Sequence, residues 1–207
     1  MRTENAALPI NQLSQPVVSK LRSLPNVRLC ADYGTGKGRY APFLAEQADQ
    51  LHLVDSLIQN RREQRFGPLY QTLEERYASD NAQHSISIKQ FIENGPIYDR
   101  VALLNVLPVI PIPSISSAVL QRCCSALKEG GQLCVTVNYR NSEYTKSIRS
   151  DAARPYRDGH LVAGYRGHFF FRLMPPPCVD ENLSALKFEI EEKLRIEGTM
   201  LYLARKL

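Results

Sequence analysis

Two aspartates and three alternating glycines stand in the first third of the chain, around two short apolar runs. These residues are Asp32, Gly34, Gly36, Gly38 and Asp55. Glycine tolerates a positive φ and has no Cβ, so a backbone rich in glycine can turn sharply off a strand and lie against a ligand. Asp55 follows Asp32 by 23 residues, close to the offset of about 20 residues expected between a glycine loop and an acid that binds a ribose diol. The order predicts strand, glycine loop, helix, strand and acid, the layout of a nucleotide-type cofactor site in a doubly wound α/β domain.

The spacing of the glycines distinguishes two kinds of cofactor. A dinucleotide fingerprint, Gly-x-Gly-x-x-Gly, that began at Gly34 would need a glycine where the chain has Arg39. The pattern present is Asp-x-Gly-x-Gly-x-Gly, which resembles motif I of class I S-adenosylmethionine (SAM) dependent methyltransferases. A carboxylate at Asp32 suits the ammonium group of SAM, whereas it would repel a pyrophosphate. The resemblance implies SAM as the cofactor, bound by Asp32, Tyr33, Gly34, Gly36, Gly38, Asp55, Ser56, Gln90, Asn105 and Val106.

The second half of the chain carries the rest of this resemblance. YDRVALLNVLPVIP, a helix and LKEGGQLCVTV are similar to the fourth strand, the next helix and the fifth strand of the family. LKFEIEEKLR and GTMLYLARK resemble its terminal hairpin. The implied fold is a Rossmann-like, doubly wound seven-stranded α/β sheet with a C-terminal antiparallel hairpin. NVLPVIP and the later PYRDGHL are also similar to small methyltransferase-like proteins of bacterial DNA-modification and defence clusters.

Length and composition set the domain organisation. We expect residues 1–207 to form a single methyltransferase-like domain, with an N-terminal cap at about 1–26 and a substrate-side insertion at about 139–184. No apolar run reaches the roughly 18 residues of a membrane span, and the N-terminus lacks a signal-peptide pattern. We therefore expect a cytoplasmic protein with no membrane partner. Five cysteines without a Cys-x-x-Cys pair and four histidines without ligand spacing predict free thiols and no metal site.

The segment 140–172 has the composition of an acceptor-binding region. It carries a net charge of +4, most of the chain's +5, and is interleaved with tyrosines and phenylalanines. Arginine pairs with phosphate or carboxylate, and aromatic rings stack on bases. This composition suits a small-molecule or nucleotide-like acceptor, including an anionic one that carries a phosphate or carboxylate, and it leaves nucleic acid open. The alternative is a solvated lid whose aromatic rings pack on the sheet.

Methyl transfer to a hydroxyl or a protonated amine needs a base. The candidates are His160, His168 and Tyr139, and each also suits a structural role. Two other functions stay open: a nicotinamide-dependent oxidoreductase, and a methyltransferase-like protein that binds partners without catalysis.

The sequence predicts helices at about 15–23, 39–49, 57–66, 69–78 and 114–128, and strands at about 27–32, 51–55, 85–89, 98–105 and 132–138.

Overall fold

The computed structural model describes residues 3–95, 97–140, 145–146, 148–149, 152–164 and 167–207. Its strands are β1 (Val27–Tyr33), β2 (Ala48–Asp55), β3 (Gln64–Phe66), β4 (Leu69–Gln71), β5 (Gln83–Ser87), β6 (Tyr98–Leu104), β7 (Leu127–Asn138), β8 (Ala153–Tyr156), β9 (Gly159–Gly164), β10 (Gly167–Phe171), β11 (Phe188–Ile196) and β12 (Thr199–Lys206). Its helices are α1 (Gln15–Arg22), α2 (Ala41–Ala45), α3 (Leu57–Asn60), α4 (Leu73–Tyr77), α5 (Ile88–Glu93), α6 (Pro113–Ala126) and α7 (Pro176–Ala185), with 3-10 turns at Thr3–Ala6 and Leu107–Val109.

Seven strands form one central sheet in the order β11-β12-β7-β6-β1-β2-β5. Neighbours from β7 to β5 are parallel, whereas β12 is antiparallel to β7 and β11 is antiparallel to β12. The predicted doubly wound sheet with a C-terminal antiparallel hairpin is therefore confirmed. The chain proceeds from β1 through β2 to β5 and then returns to β6 on the other side of β1. The carboxyl ends of β1 and β6 thus form a topological switch point, where ligands bind in open α/β sheets.

Both faces of the sheet are buried, which explains the near-continuous apolar runs. On β1, Leu29 and Ala31 belong to one core cluster while Cys30 belongs to the other. Successive side chains of a strand point to opposite faces, so one strand contributes to both clusters. Helix α6 covers the first face and helix α1 the second, through apolar residues such as Val119 and Leu21.

Several predicted boundaries are wrong, and local turns explain two of them. The expected helices at 57–66 and 69–78 are interrupted by the β3–β4 hairpin, because Gly67 adopts a φ of 63° in a two-residue turn. Strand β5 ends at Ser87 rather than 89, because Ser87 and Gln90 form a capping box that begins α5. The helix expected at about 114–128 ends at Ala126, and the Gly130–Gly131 pair that follows it lies in β7 rather than in a helix C-cap.

The predicted insertion contains a three-stranded antiparallel sheet, β10-β9-β8, followed by α7. It joins the main sheet by backbone hydrogen bonds from Arg172 N–H to the Pro108 carbonyl (3.0 Å) and from Met174 N–H to the Asn138 carbonyl (2.8 Å). The small sheet therefore lies beside the carboxyl ends of β6 and β7. None of the described helices is both long and apolar enough to cross a membrane.

Candidate functional site

A cavity of about 1420 Å³ opens at the switch point between β1 and β6. One side, which we call the loop half, is formed by the described lining residues in 32–40, 55–59 and 104–106. The other side, the insertion half, is formed by those in 109–112, 138–140, 162–171 and 196–199. An N-terminal strap, residues 3–14, also lines the cavity. The volume exceeds the range of about 300–1,000 Å³ that is typical of pockets for a single small ligand.

The glycine loop has the backbone conformation that its sequence predicts. Gly34, Gly36 and Gly38 have φ values of 72°, 61° and 69°, in the left-handed region that favours glycine. A Cβ on Gly34 would lie 2.5 Å from Val106 Cγ2. The loop after β1 and the loop after β6 therefore touch, and a side chain at Gly34 would separate them.

The N–H groups of this loop are mostly bonded within the protein. Gly34 and Thr35 both donate to the Val54 carbonyl, at 2.8 and 3.2 Å, and Gly38 donates to the Thr35 carbonyl at 2.9 Å. Helix α2 begins only at Ala41. A ligand in the cavity would therefore meet the surface of the loop and the neighbouring carboxylates, rather than a row of free N–H groups.

Two buried carboxyl groups flank the loop. Asp32 is 3% exposed and accepts a hydrogen bond from Thr35 Oγ1 at 2.7 Å, while burial raises its pKa to about 6. Asp55 accepts from Gly36 N–H at 2.8 Å and from Ser56 N–H at 2.7 Å. Burial, with smaller contributions from the carboxylates of Glu4 and Asp32, raises the pKa of Asp55 to about 7, although the two N–H donors act to lower it. Each carboxylate oxygen can accept a second hydrogen bond from a ligand.

The end of β6 completes the loop half. Asn105 has a φ of 61°, which asparagine tolerates better than most residues. In the part of the chain that the structure describes, its buried Oδ1 has no hydrogen-bond partner. Tyr33 lines the same half, and burial raises the pKa of its hydroxyl to about 12. A ligand donor at Asn105 Oδ1 would satisfy a group that is costly to leave unpaired.

The strap is held over this half by side chains that sequence reasoning did not single out. Glu4 Oε1 accepts a hydrogen bond from Ser56 Oγ at 2.8 Å. Arg62 donates to the Glu4 carbonyl at 3.2 Å, and Arg39 donates to the Gln12 carbonyl at 2.7 Å. The predicted N-terminal cap thus forms part of the cavity wall, and Ser56 links it to Asp55.

The insertion half is mainly apolar. Its apolar lining residues are Val109, Ile110, Pro111, Ile112, Val162, Phe169, Phe171 and Ile196. Its polar side chains are Asn138, Arg140, Glu197 and Thr199. Thr199 Oγ1 donates to Asn138 Oδ1 at 3.0 Å, which leaves the Asn138 amide nitrogen as a donor. Such a surface suits a flat apolar ligand with few polar groups.

The structure places five predicted site residues outside the described lining of the cavity: Gly38, Gln90, Tyr139, His160 and His168. Tyr139 donates to the Glu197 carbonyl at 2.9 Å. His168 is exposed, on the face of β10 opposite to Phe169 and Phe171, whereas His160 shares the cavity-side face of β9 with Val162. Gln90 caps α5, where its Oε1 accepts from the N–H and the hydroxyl of Ser87. The remaining predicted residues converge at the loop half, whereas Gly38 lies behind it, against Tyr77 and Ala41.

The basic and aromatic residues of 140–172 divide into several roles. Arg172 is buried and pairs with Asp158 and with Ser116 Oγ, so it joins the insertion to α6. Phe169 and Phe171 line the cavity, but Phe170 is buried on the other face of the small sheet. Glu143, Tyr144, Asp151, Tyr165 and Arg166 lie outside the described residues. The interleaved pattern therefore mixes a structural ion pair with part of the cavity wall.

Comparison with known proteins agrees with this architecture. No family model matches the chain. The chain is similar to the uncharacterized protein YmfD of Escherichia coli (strain K12), with 25% identity over 193 residues, 92% of this chain and 85% of that protein.

Two solved structures extend the comparison. A Burkholderia thailandensis O-methyltransferase family protein has a TM-score of 0.64 at 16% identity over 94% of this chain, which spans 56% of that protein's length. The 1,6-didemethyltoxoflavin-N1-methyltransferase of the same species, solved with 1,6-didemethyltoxoflavin and S-adenosylhomocysteine bound, has a TM-score of 0.62 at 17% identity over 93% of this chain and 77% of that one. The resemblance to class I SAM-dependent methyltransferases is thereby confirmed at the level of the fold, and the chain has the fold of these enzymes.

Proposed function

We propose that this protein transfers a methyl group from SAM to a small acceptor held in the insertion half of the cavity. The observation that carries the proposal is the loop half itself. Three left-handed glycines, two buried carboxyl groups and an Asn105 oxygen that no described residue pairs with meet at the switch point of a methyltransferase fold. The solved neighbour that holds S-adenosylhomocysteine shares this fold.

The residues of the loop half have chemistry that fits SAM. Asp55 would accept hydrogen bonds from the ribose hydroxyls, because each of its oxygens already binds one backbone N–H and retains a second lone pair. Asp32 would act on the ammonium group through Thr35 or a water, since its Oδ2 is bound to the Thr35 hydroxyl. Asn105 and Val106 would flank the adenine and the methyl group. The sulfonium supplies an electrophilic methyl and a neutral leaving group when bound.

The insertion half would select and align the acceptor. In-line methyl transfer needs the acceptor atom to approach from the side opposite the leaving group, so positioning and exclusion of water are the main demands on the protein. The apolar wall suits the flat part of an acceptor, and Arg140 suits a carboxylate or phosphate at its edge. A nucleotide-like or otherwise anionic aromatic compound meets both conditions. The roles of His160, His168 and Tyr139 as the base remain predictions. We add Glu197 to these candidates because it lines the insertion half.

The test is calorimetric titration with S-adenosylhomocysteine of the wild type and of Asp55→Asn. The substitution keeps the shape of the side chain and removes the charge that two ribose hydroxyls would bind. A hydrogen bond to a charged group contributes about 1.5–3 kcal/mol, so we expect the affinity to fall about tenfold or more.

A matched control stands on the same strand. Asp49 begins β2 at the end remote from the cavity and is exposed, so Asp49→Asn makes the same chemical change without touching the site. We expect its affinity to equal that of the wild type. Absence of binding to the wild type, or equal binding by Asp55→Asn, would contradict the proposal and favour a fold that binds partners without this cofactor.

A further inference from the structure

The central glycine of the loop has both of its backbone polar groups occupied by side chains. The Gly36 N–H donates to Asp55 Oδ2 at 2.8 Å, and the Gly36 carbonyl accepts from Gln59 Nε2 at 2.5 Å. Gly36 has a φ of 61°, so its conformation is one of several that glycine reaches easily. These two side chains, from the end of β2 and from α3, therefore select one shape of the loop.

Gln59 is itself held rigidly. It is 1% exposed, and its backbone N–H donates to Ser56 Oγ at 3.2 Å. Its Nε2 also donates to Oε1 of the fully buried Gln64, at 3.0 Å. Two acceptors on the same nitrogen fix the orientation of the carboxamide, so the donor faces the loop.

The contact also fixes the peptide that follows Gly36. A peptide bond is planar, so holding the Gly36 carbonyl on Gln59 sets the plane of the Gly36–Lys37 peptide. Gly36 and Lys37 both line the cavity. The Asp55 contact acts on the preceding peptide, between Thr35 and Gly36. Gln59 and Asp55 thus control different peptides of the same loop.

We propose that Gln59 is a positioning residue for the amino-acid end of SAM. It holds the Gly36–Lys37 peptide in the shape against which that end lies, while Asp55 serves the ribose. This inference rests on the proposed function and deepens it. The two ends of the cofactor should therefore respond differently. Loss of the Gln59 contact should weaken the binding of ligands that carry the amino-acid end and leave the binding of ligands that lack it unchanged.

The neighbouring residue offers a matched control. Asn60 is also 1% exposed and stands on the same short helix, but its Nδ2 donates to the Ile86 carbonyl on β5 at 2.9 Å. Both residues are buried carboxamides that hold a backbone carbonyl. Only Gln59 holds one that belongs to the glycine loop.

The experiment titrates two probes, S-adenosylhomocysteine and 5′-methylthioadenosine, which lacks the amino-acid end. The variants are Gln59→Met, Gln59→Glu and Asn60→Leu, each close in size to the residue it replaces. For Gln59→Met we expect S-adenosylhomocysteine affinity to fall about tenfold and methylthioadenosine affinity to change by less than about threefold. Gln59→Glu places an acceptor against the carbonyl and should show the same selectivity, which keeps a test available if Gln59→Met does not fold.

Asn60→Leu should leave the ratio of the two affinities unchanged, even if it lowers the melting temperature. An equal fall for both probes in the Gln59 variants would overturn the inference, since it would indicate a general structural role. The same selective loss in Asn60→Leu would overturn it as well. Failure of the wild type to bind either probe would instead overturn the proposed function and this inference with it, so the two failures are distinguishable.

Discussion

The two halves of the cavity are built in different ways. In the loop half, the residues that hold the loop and its acid lie between Asp32 and Gln59, in one continuous run from β1 to α3, and are joined by short hydrogen bonds. In the insertion half, the walls come from four distant segments and are mainly apolar. Hydrogen bonds specify direction, whereas apolar contact specifies volume. The first half is therefore suited to one fixed cofactor, and the second can change its ligand by changing side chains.

The largest effect on cofactor binding is expected from disturbing the contact of Gly34 with Val106 in the loop half. An alanine at Gly34 would be strained by its φ of 72° and would place a Cβ 2.5 Å from Val106 Cγ2. Left-handed strain lowers stability by about 1–2 kcal/mol at any such position. Relieving the overlap with Val106 would displace the two loops at a further cost of about 1–3 kcal/mol, which corresponds to a roughly ten- to hundredfold loss of affinity. We expect calorimetry to show a loss of S-adenosylhomocysteine binding of that order.

Gly67→Ala is the control for Gly34→Ala. Gly67 has a φ of 63°, but a Cβ there meets nothing within 4 Å. It should lower stability by about 1 kcal/mol through backbone strain alone and leave the affinity unchanged. Wild-type affinity in Gly34→Ala would show that the two loops separate without consequence.

The pH dependence of binding tests the electrostatics of the loop half. Burial raises the pKa of Asp55 to about 7 and that of Asp32 to about 6, above their ordinary value of 3.8. A carboxyl with a raised pKa stabilises the folded protein below its ordinary pKa, and this contribution is lost as the pH rises through the folded value. Since the ligand needs both carboxylates ionised, we expect affinity to fall as the pH drops below about 7, approaching tenfold per unit below each pKa.

The measurement is a series of titrations between pH 5 and 8, with melting temperatures of the free protein alongside. The free protein should melt at lower temperature as the pH rises through this window, while the stabilisation by S-adenosylhomocysteine grows. Asp55→Asn should retain only the inflection from Asp32. A flat affinity profile for the wild type would mean that neither carboxylate meets the ligand.

A smaller effect is expected from the strap. Arg62→Ala removes the donor to the Glu4 carbonyl and to Asn5 Oδ1, so the strap should open more often over the loop half. We expect S-adenosylhomocysteine to dissociate at least about fivefold faster in stopped-flow experiments, because each of the two lost hydrogen bonds contributes about 0.5–1.5 kcal/mol. Arg61→Ala is the control, since the exposed Arg61 contacts Glu74 and not the strap. Identical dissociation rates in the two variants would contradict the view that Arg62 holds the strap over the bound cofactor.

The smallest effect on cofactor affinity is expected from a change in the insertion half. Phe169→Ala truncates a wall of the insertion half and should leave S-adenosylhomocysteine affinity within about twofold of wild type, because the loop half supplies the cofactor contacts. The same variant should enlarge the range of aromatic compounds that bind in the presence of the cofactor product, as measured by a ligand-binding screen. A large loss of S-adenosylhomocysteine affinity would mean that the halves are not separate.

Local patterns predicted the loop half well. The apolar run before Asp32, the alternating glycines and Asp55 were sufficient to predict the strand, the turn and the acid, because these features depend on residues close in sequence. The insertion was predicted only as a break in the alternation. Its small antiparallel sheet, and the side of it that each histidine occupies, follow from pairing between distant strands that no local pattern specifies.

Two segments with the same local pattern show which features a local pattern does not predict. Ser56-x-x-Gln59 and Ser87-x-x-Gln90 both match the capping-box pattern at the start of a helix, and both serines do cap. Gln90 completes its box, but Gln59 turns its carboxamide to the Gly36 carbonyl. The sequence determined the caps, the glycine turn and the order of strands, because these are settled within a few residues. The tertiary structure decided which glutamine reaches the site, because only the packing of α3 beside the loop brings a buried carbonyl within its reach.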